Sequence, residues 1–424
     1  MKKVLIICGT FPPNSMVGGL RPAMFAKYLK QFNWEPSVLT RVYPKTDINF
    51  DNKMAIDTGL ESDQINRVEY GTNEEIKYIE ERGIIKKIRD FFYPEFSSPP
   101  GVYFKMKEAA IQLLNKQKFD LIFTTSPDHW EITLGSYLSK QYKIPLVVDF
   151  RDIKEQEKGI TRTFREHIQV ARLTTRRFLA TRQASLITTV SKYHADVLHK
   201  KLLKNVDVIY NGYDSELFKS IKSRKTSSVF KIIYVGRILD IWYRNPEILF
   251  FAIDQLIEEG KIIENEINID FYGTEKELLA DIVKKTKHKS FFTFYDRIPY
   301  KRVPVMLSDA QLLLVLTNKD RKGILTTKFF EYAGLQKPVL CIPGDNSELD
   351  ELISEYKLGY SIDNIEKLKQ KLLEWIGAHK TSTYSENLEN NVDFFSRLNQ
   401  TQELAKSFDN LFNKQSTSQN TLLN

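Results

Sequence analysis

Apolar runs of strand length alternate with helix-length segments almost from end to end of the 424 residues. Candidate strands lie at 3–8, 36–41, 120–124, 145–149, 185–190 and 207–210. A second series follows at 230–235, 267–272, 291–294, 311–316, 338–342 and 358–361. Helical patterns fall between them at 19–32, 130–142, 246–259, 300–308, 326–335 and 364–377. Parallel strands need crossovers, and helical crossovers on a twisted sheet are right-handed, so the alternation predicts α/β architecture with doubly wound parallel sheets. Two series predict two Rossmann-like domains facing a cleft, in keeping with the way single cores stop growing near 250–300 residues.

The break falls in the polar stretch 219–228, "KSIKSRKTSS". The expected boundaries are 1–215 for the N-terminal domain and 225–390 for the C-terminal one. A helix at 391–412 is expected to return to the N-terminal domain, and 413–424, "NKQSTSQNTLLN", reads as a disordered tail. Residues 45–100 are less regular and are expected to form a lid-like excursion.

Hydrophobic residues make up 42% of the chain and aromatics 12%, which excludes a disordered polymer. The two cysteines, Cys8 and Cys341, sit in separate predicted strands and read as reduced, buried thiols of a cytoplasmic protein. The start "MKKVLIICGTFPP" has a basic lead, but its apolar run is shorter than a secretory h-region. The best apolar run, 311–317, is strand-sized, so a membrane span is not expected.

Charge is concentrated. Residues 154–204 hold twelve Lys and Arg against four acids, an excess as large as the net +8 of the whole chain. On a helical wheel Lys158, Arg162, Arg165, Arg172 and Arg176 form one stripe, with Ile160, Phe164, Ile168, Ala171 and Phe178 opposite. The stripe reads either as a solvated face or as a contact with anionic lipid or a phosphate-bearing substrate, the apolar side packing on the domain. No recognition fold for nucleic acid accompanies it, so nucleic acid is not an expected partner.

Ligands of open parallel sheets bind beyond the carboxyl ends of the strands. The first such loop, "GTFPPNSMVGGLR", is longer than an ordinary strand-to-helix connection and uncharged until Arg21. Gly18 and Gly19 would let backbone approach a ligand beside a helix N-terminus, and Pro12 and Pro13 would stiffen the approach. Neither half carries a G-x-G-x-x-G fingerprint, which disfavours ordinary NAD binding.

Seven segments in order, "FPPNSMVGGLRPAMFAKYL", "TTSPDHW", "IPLVVDFRD", "ASLITTVSKYHADVL", "VIYNGYDSELF", "IIYVGRI" and "KFFEYAGLQKPVL", carry a resemblance. Over residues 2–400 the chain resembles the retaining glycosyltransferases of family 4 (group 1), which adopt the GT-B fold. Forms with "DFRD" and "KxxEY" resemble bacterial envelope-polysaccharide enzymes acting on lipopolysaccharide or capsule. The resemblance implies a nucleotide sugar, UDP-linked by default, bound by the C-terminal domain, and a glycan or polyprenyl-linked glycan acceptor bound by the N-terminal domain.

Within that resemblance Arg237 is placed at the donor diphosphate. The family's usual lysine falls at Tyr243, so the neighbouring Arg244 is the substitute cation. Glu331 matches the second glutamate of the Glu-x7-Glu motif, which contacts the donor ribose; the alternative is a structural role, as an acid capping the first turns of its helix. The first glutamate is replaced by Gly323, so amides of Gly323 to Thr326 would take over its contacts. Thr327 and Lys328 open the following helix, where free N–H groups and the positive dipole end suit a diphosphate. His129 matches a family histidine near the transferred sugar, with Asp128 in place of a proline; the alternative is a cap or core role. Asp149, Arg151 and Asp152 either orient the acceptor, with Arg21, or brace the loop by mutual salt bridges. Gly18 and Gly19 would lie across the cleft from the diphosphate.

No D-x-D pair follows a strand and no Cys/His cluster has ligand spacing, so the expected chemistry needs neither metal nor cofactor. Arg237, Arg244, Lys328 and loop amides would stabilise the leaving diphosphate by preorganised charge, with His129 at the transferred sugar. The resemblance implies retention by same-face attack, in a cytoplasmic enzyme that is peripheral at the inner membrane face. The alternatives are a nucleotide-sugar 2-epimerase or inverting transferase of the same fold, and a non-catalytic basic module binding nucleic acid or membrane.

Overall fold

The computed structural model describes residues 1–14, 17–43, 57–69, 102–126, 129–153, 163–219, 221, 227–238, 241, 244–317, 322–384, 388 and 391–421. The chain divides into two compact units, Met1–Tyr210 with Arg397–Asn424, and Asn211–Ser396.

The first unit is built on strands β1 (Lys2–Ile7), β2 (Trp34–Arg41), β3 (Ile65–Val68), β4 (Leu121–Ser126), β5 (Leu146–Phe150), β6 (Ala184–Thr189) and β7 (Val206–Val208). They pair in the order β3-β2-β1-β4-β5-β6-β7, each neighbour parallel. Successive side chains leave opposite faces of a strand. Val4 and Ile6 therefore enter one core, while Leu5 and Ile7 enter the other. Helices Val102–Lys116, His129–Tyr142 and Lys192–Leu202 cover the second face with Met106, Trp130, Leu134, Leu138 and Leu198. Helix Leu20–Tyr28 and the C-terminal helix Arg397–Thr421 cover the first with Phe25, Leu404 and Phe408. Phe408 meets Trp34 edge-on at 5.2 Å, and Asp409 pairs with Lys2 at 3.0 Å. The last helix thus closes the first unit, and it continues to Thr421, into the stretch expected to be disordered.

The second unit repeats the plan with β8 (Phe230–Val235), β9 (Ile267–Tyr272), β10 (Phe292–Tyr295), β11 (Leu312–Leu316), β12 (Val339–Ile342) and β13 (Gly359–Ser361), in the order β10-β9-β8-β11-β12-β13. All pairings are parallel. In both sheets the winding reverses beside the first strand, between β1 and β4 and between β8 and β11. These are topological switch points, where two diverging loops leave a crevice at the carboxyl ends.

Two expectations need correction. Part of the 45–100 excursion is not lid-like, because Ile65–Val68 pairs with β2 as the sheet's edge strand. Its sequence "INRV" is short and half polar, as an edge needs and a hydrophobicity scan overlooks. The basic helix is also turned the other way. In helix Phe164–Thr181 the apolar side is exposed, with Phe164 79% and Phe178 43% accessible, and is not packed on the domain. Arg172 and Arg176 are half-buried with their Nε atoms shielded, and Arg177 is buried against the Phe150 ring. Arginine reaches inward readily because its stem packs against apolar surface while its planar head finds partners. Ile160, Lys158 and Arg162, and the side chain of Arg165, lie outside the described residues.

Candidate functional site

At the switch point of the second sheet, β8 ends in "YVGRI" and the loop after β11 leads into helix Thr327–Gly334. Gly236 has φ of 115°, open to glycine, and a Cβ there would stand 2.7 Å from Lys328 Cε. The glycine therefore makes room for the lysine. Its backbone is fixed on both sides, its N–H donating to the Tyr272 carbonyl (2.7 Å) and its carbonyl accepting from Thr274 Oγ1 (3.0 Å).

Lys328 Nζ donates to Tyr234 Oη at 3.1 Å and lies over the same ring. Tyr234 Oη in turn donates to the Arg237 carbonyl at 3.0 Å, and Arg244 Nη1 donates to that carbonyl at 2.7 Å. One hydroxyl and one carbonyl thus hold Lys328 and Arg244 in a single constellation. Among the described residues neither cation has a carboxylate at ion-pair distance. Burial first, and then the charge of Arg244, brings the Lys328 pKa down to about 7, against the opposing pull of Glu331 and Glu275. Burial also pushes Tyr234 up to about 12, so it remains a neutral phenol.

Arg237 sits differently from its expected role. Its side chain is 68% exposed and ion-paired with Glu275, whose other oxygen accepts the Ile238 N–H at 3.0 Å. What Arg237 contributes to the constellation is its carbonyl. Arg244 and Lys328 supply its cationic side chains.

The helix that presents Lys328 begins unusually. Thr326 has the extended backbone of an N-cap, yet its hydroxyl makes no capping bond and its Oγ1 is buried without a partner. The first helical N–H groups are without intrahelical acceptors in any helix. Here the residue that would ordinarily satisfy one does not. Thr327 and Lys328 follow it, and Glu331, 7% exposed, lies one turn further on. At Gly323, where the family pattern has an acid, φ is 77°, a left-handed value that glutamate would adopt only with strain.

At the first sheet's switch point Arg21 and Asp149 are 2% and 0% exposed. Arg21 Nη2 and Nε donate to the two carboxylate oxygens at 2.8 and 2.9 Å. Thr188 and Thr125 supply one further donor to each oxygen, at 2.8 and 2.7 Å. Arg21 also donates to the carbonyls of Ile209 and Tyr210. Burial alone would raise the Asp149 pKa, but Arg21 and the two hydroxyls hold it below the usual carboxylate range. This is a closed network, which braces the first loop against β5 and leaves neither group for an acceptor.

Arg151 donates through Nη1 to the Gly18 carbonyl, and a Cβ at Gly18 would lie 2.8 Å from that nitrogen. Gly18 is bare because Arg151 occupies the space. A Cβ at Gly19 would meet Thr10 Cγ2 at 3.2 Å, so this glycine serves packing within the loop. Asp152 is exposed. His129 is the first residue of helix His129–Tyr142, and Asp128 and Tyr243 lie outside the described residues. The sequence reading missed Tyr234, Gly236 and Glu275, although the glycine inside "YVGRI" at a strand exit was a usable signal.

The profile of Glycosyltransferase Family 4 matches residues 24–217. A search of curated proteins returns no match. Among solved structures, sucrose-phosphate synthase from Thermosynechococcus elongatus is 14% identical over 98% of this chain and 100% of its own, with a TM-score of 0.60. HepE of Anabaena in complex with UDP-glucose is 16% identical over 97% of this chain and 100% of its own, again at 0.60. A putative UDP-N-acetylglucosamine 2-epimerase from Listeria monocytogenes is 11% identical over 98% of each chain, at 0.54. Two parallel-sheet α/β units of this kind are the GT-B fold, and residues 24–217 carry on it the sequence signature of Glycosyltransferase Family 4.

Proposed function

We propose that the chain transfers a sugar from a nucleoside-diphosphate sugar to a hydroxyl of a glycan or lipid-linked glycan, with retention and without a metal. The observation that carries this reading is the pair Lys328 and Arg244, two cations at the switch point of the second sheet that have no carboxylate partner among the described residues. They stand beside a helix start whose N-cap hydroxyl is unused. Half-desolvated positive charge is costly unless an anion arrives, and a diphosphate brings two adjacent phosphoryl groups. As the anomeric bond breaks, negative charge grows on the leaving diphosphate. Lys328, Arg244 and the helix amides are in place to stabilise it without reorganising. Glu331 is assigned to the ribose, His129 to the transferred sugar, and amides of Gly323 to Thr326 to the sugar hydroxyls. UDP is the favoured nucleotide, HepE of the same fold having been solved with UDP-glucose.

The acceptor is assigned to envelope polysaccharide synthesis at the inner membrane face. The surface offered to lipid is then the exposed row Phe164, Ile168, Phe178 and Leu179, not the arginines of the same helix. No helix among the described residues is long and apolar enough to cross a membrane.

Thermal unfolding with UDP, GDP, ADP and dTDP, then with their sugars, tests the donor assignment. One nucleotide should raise the midpoint as its concentration passes its Kd. A chain indifferent to all four overturns it. Conversion of the bound sugar without any acceptor would instead make the chain an epimerase of this fold.

A further inference from the structure

The loop after β1 is held by three arginines from three other strands. Arg41, the last residue of β2, donates Nε to the Gly9 carbonyl at 2.8 Å. Arg67 of β3 donates Nη2 to the Pro12 carbonyl, and Arg151, just beyond β5, donates Nη1 to that of Gly18. Arg41 is further engaged by Tyr43, whose Oη lies 2.7 Å away and whose ring it covers. Arg67 and Arg151 have no such aromatic partner among the described residues. Each donates one N–H to a carbonyl, and among the described residues neither has a carboxylate at ion-pair distance. Arg151 Nε is buried without a partner.

Both guanidinium groups reach carbonyls of the one loop that follows β1, so both stand beyond the end of that strand. Among the described residues, Glu131 is a carboxylate held in the same loop, itself buried and accepting the Gly9 N–H at 3.0 Å. Arg67 is open to solvent on one side, while burial on the other lowers its pKa. A guanidinium has five N–H donors in a fork suited to phosphate or carboxylate, and a carbonyl partner neutralises none of its charge. Two such forks stand at the switch point of a sheet whose loop they also shape.

We propose that the carboxyl edge of the first sheet is an anion site of its own, in which Arg67 and Arg151 bind a phosphate or carboxylate group of the acceptor. That the anion belongs to an acceptor rests on the transferase reading; that the edge binds an anion does not.

The test is calorimetric titration of the full chain with inorganic phosphate, and separately with glucuronate, at low salt. It is run in the Lys328→Met background with UDP present, so that the second sheet's site is disabled or filled. Phosphate or glucuronate should still bind, and the better of the two names the anion class. Arg67→Gln with Arg151→Gln should weaken it at least tenfold, while Arg67→Lys with Arg151→Lys keeps most of it. Circular dichroism and the unfolding midpoint show that each variant is folded. Binding that survives the glutamine pair, or that was already lost with Lys328→Met, overturns the site. Failure of UDP to bind the wild-type chain would sink the donor assignment and leave this one standing.

Discussion

Replacing Lys328 by Met should make the protein more stable and worse at binding its donor, two effects of opposite sign from one side chain. In the unfolded chain this lysine holds a proton up to pH 10.5, in the folded one only to about 7. Between those values unfolding takes up a proton, so stability rises with pH across the window, and the cost of the lysine is fully present below pH 7. The difference corresponds to on the order of 4 kcal/mol at pH 7. Methionine keeps the stem, gives up the Tyr234 contact and needs no proton, so a net gain of about 2 kcal/mol is expected. For a unit of this size that is roughly 4–8 °C in Tm. The same charge should be what the diphosphate uses, and removing it should weaken UDP binding by about tenfold to a hundredfold.

The pH dependence separates this account from simple loss of packing. A bound diphosphate favours the protonated amine, adding to Glu331 and Glu275 and opposing Arg244. Above pH 7 the free site is increasingly neutral, so affinity should fall with pH until the roughly tenfold to hundredfold contribution of the charge is lost, while the phosphate stays fully ionised. Calorimetry at pH 8 in buffers of different ionisation enthalpy should register uptake of roughly half a proton or more per UDP, and none in Lys328→Met. A variant less stable than wild type at pH 7, or wild-type binding without proton uptake at pH 8, would refute the reasoning.

Gly236→Ala places a methyl 2.7 Å from Lys328 Cε at a φ of 115°, so it should cost more than 1 kcal/mol in urea unfolding and weaken UDP binding as Lys328→Met does. Thr326→Val removes a buried hydroxyl that caps nothing, so Tm should hold while UDP affinity falls; a Tm loss of several degrees would make the hydroxyl a structural cap instead. Asp149→Asn leaves Arg21 buried without its counter-charge and should cost about 3–5 kcal/mol. In the wild type, stability from Asp149 is present above pH 3.8 and lost as pH falls through its lowered folded value, so acid unfolding of Asp149→Asn should be shallower.

The fold was legible because both faces of each sheet are covered. Runs such as "LVVDF" and "LLLVL" are buried at every residue, and continuous apolar runs at regular spacing have few other architectures open to them. The edge strand "INRV" is half polar and carries no such signal. In the site, spacing behind each strand placed Arg237, Arg244, Lys328 and Arg151 near carboxyl edges, but it could not say which charges were already used. Arg21 and Arg151 both lie just behind strands of the first sheet; the first is neutralised by Asp149, and the second has no carboxylate partner among the described residues. Arg237 and Lys328 differ in the same way, because Glu275, some forty residues downstream, happens to reach the first and not the second. Ion-pair partnership is set by side-chain packing between elements distant in sequence, whereas strand position is set by local pattern. Chemical potential follows the former. Among the described residues, Lys328 with Arg244 and Arg67 with Arg151 stand at the two switch points without a carboxylate at ion-pair distance, and it is there, not along the basic helix where the charge is densest, that anions are expected to bind.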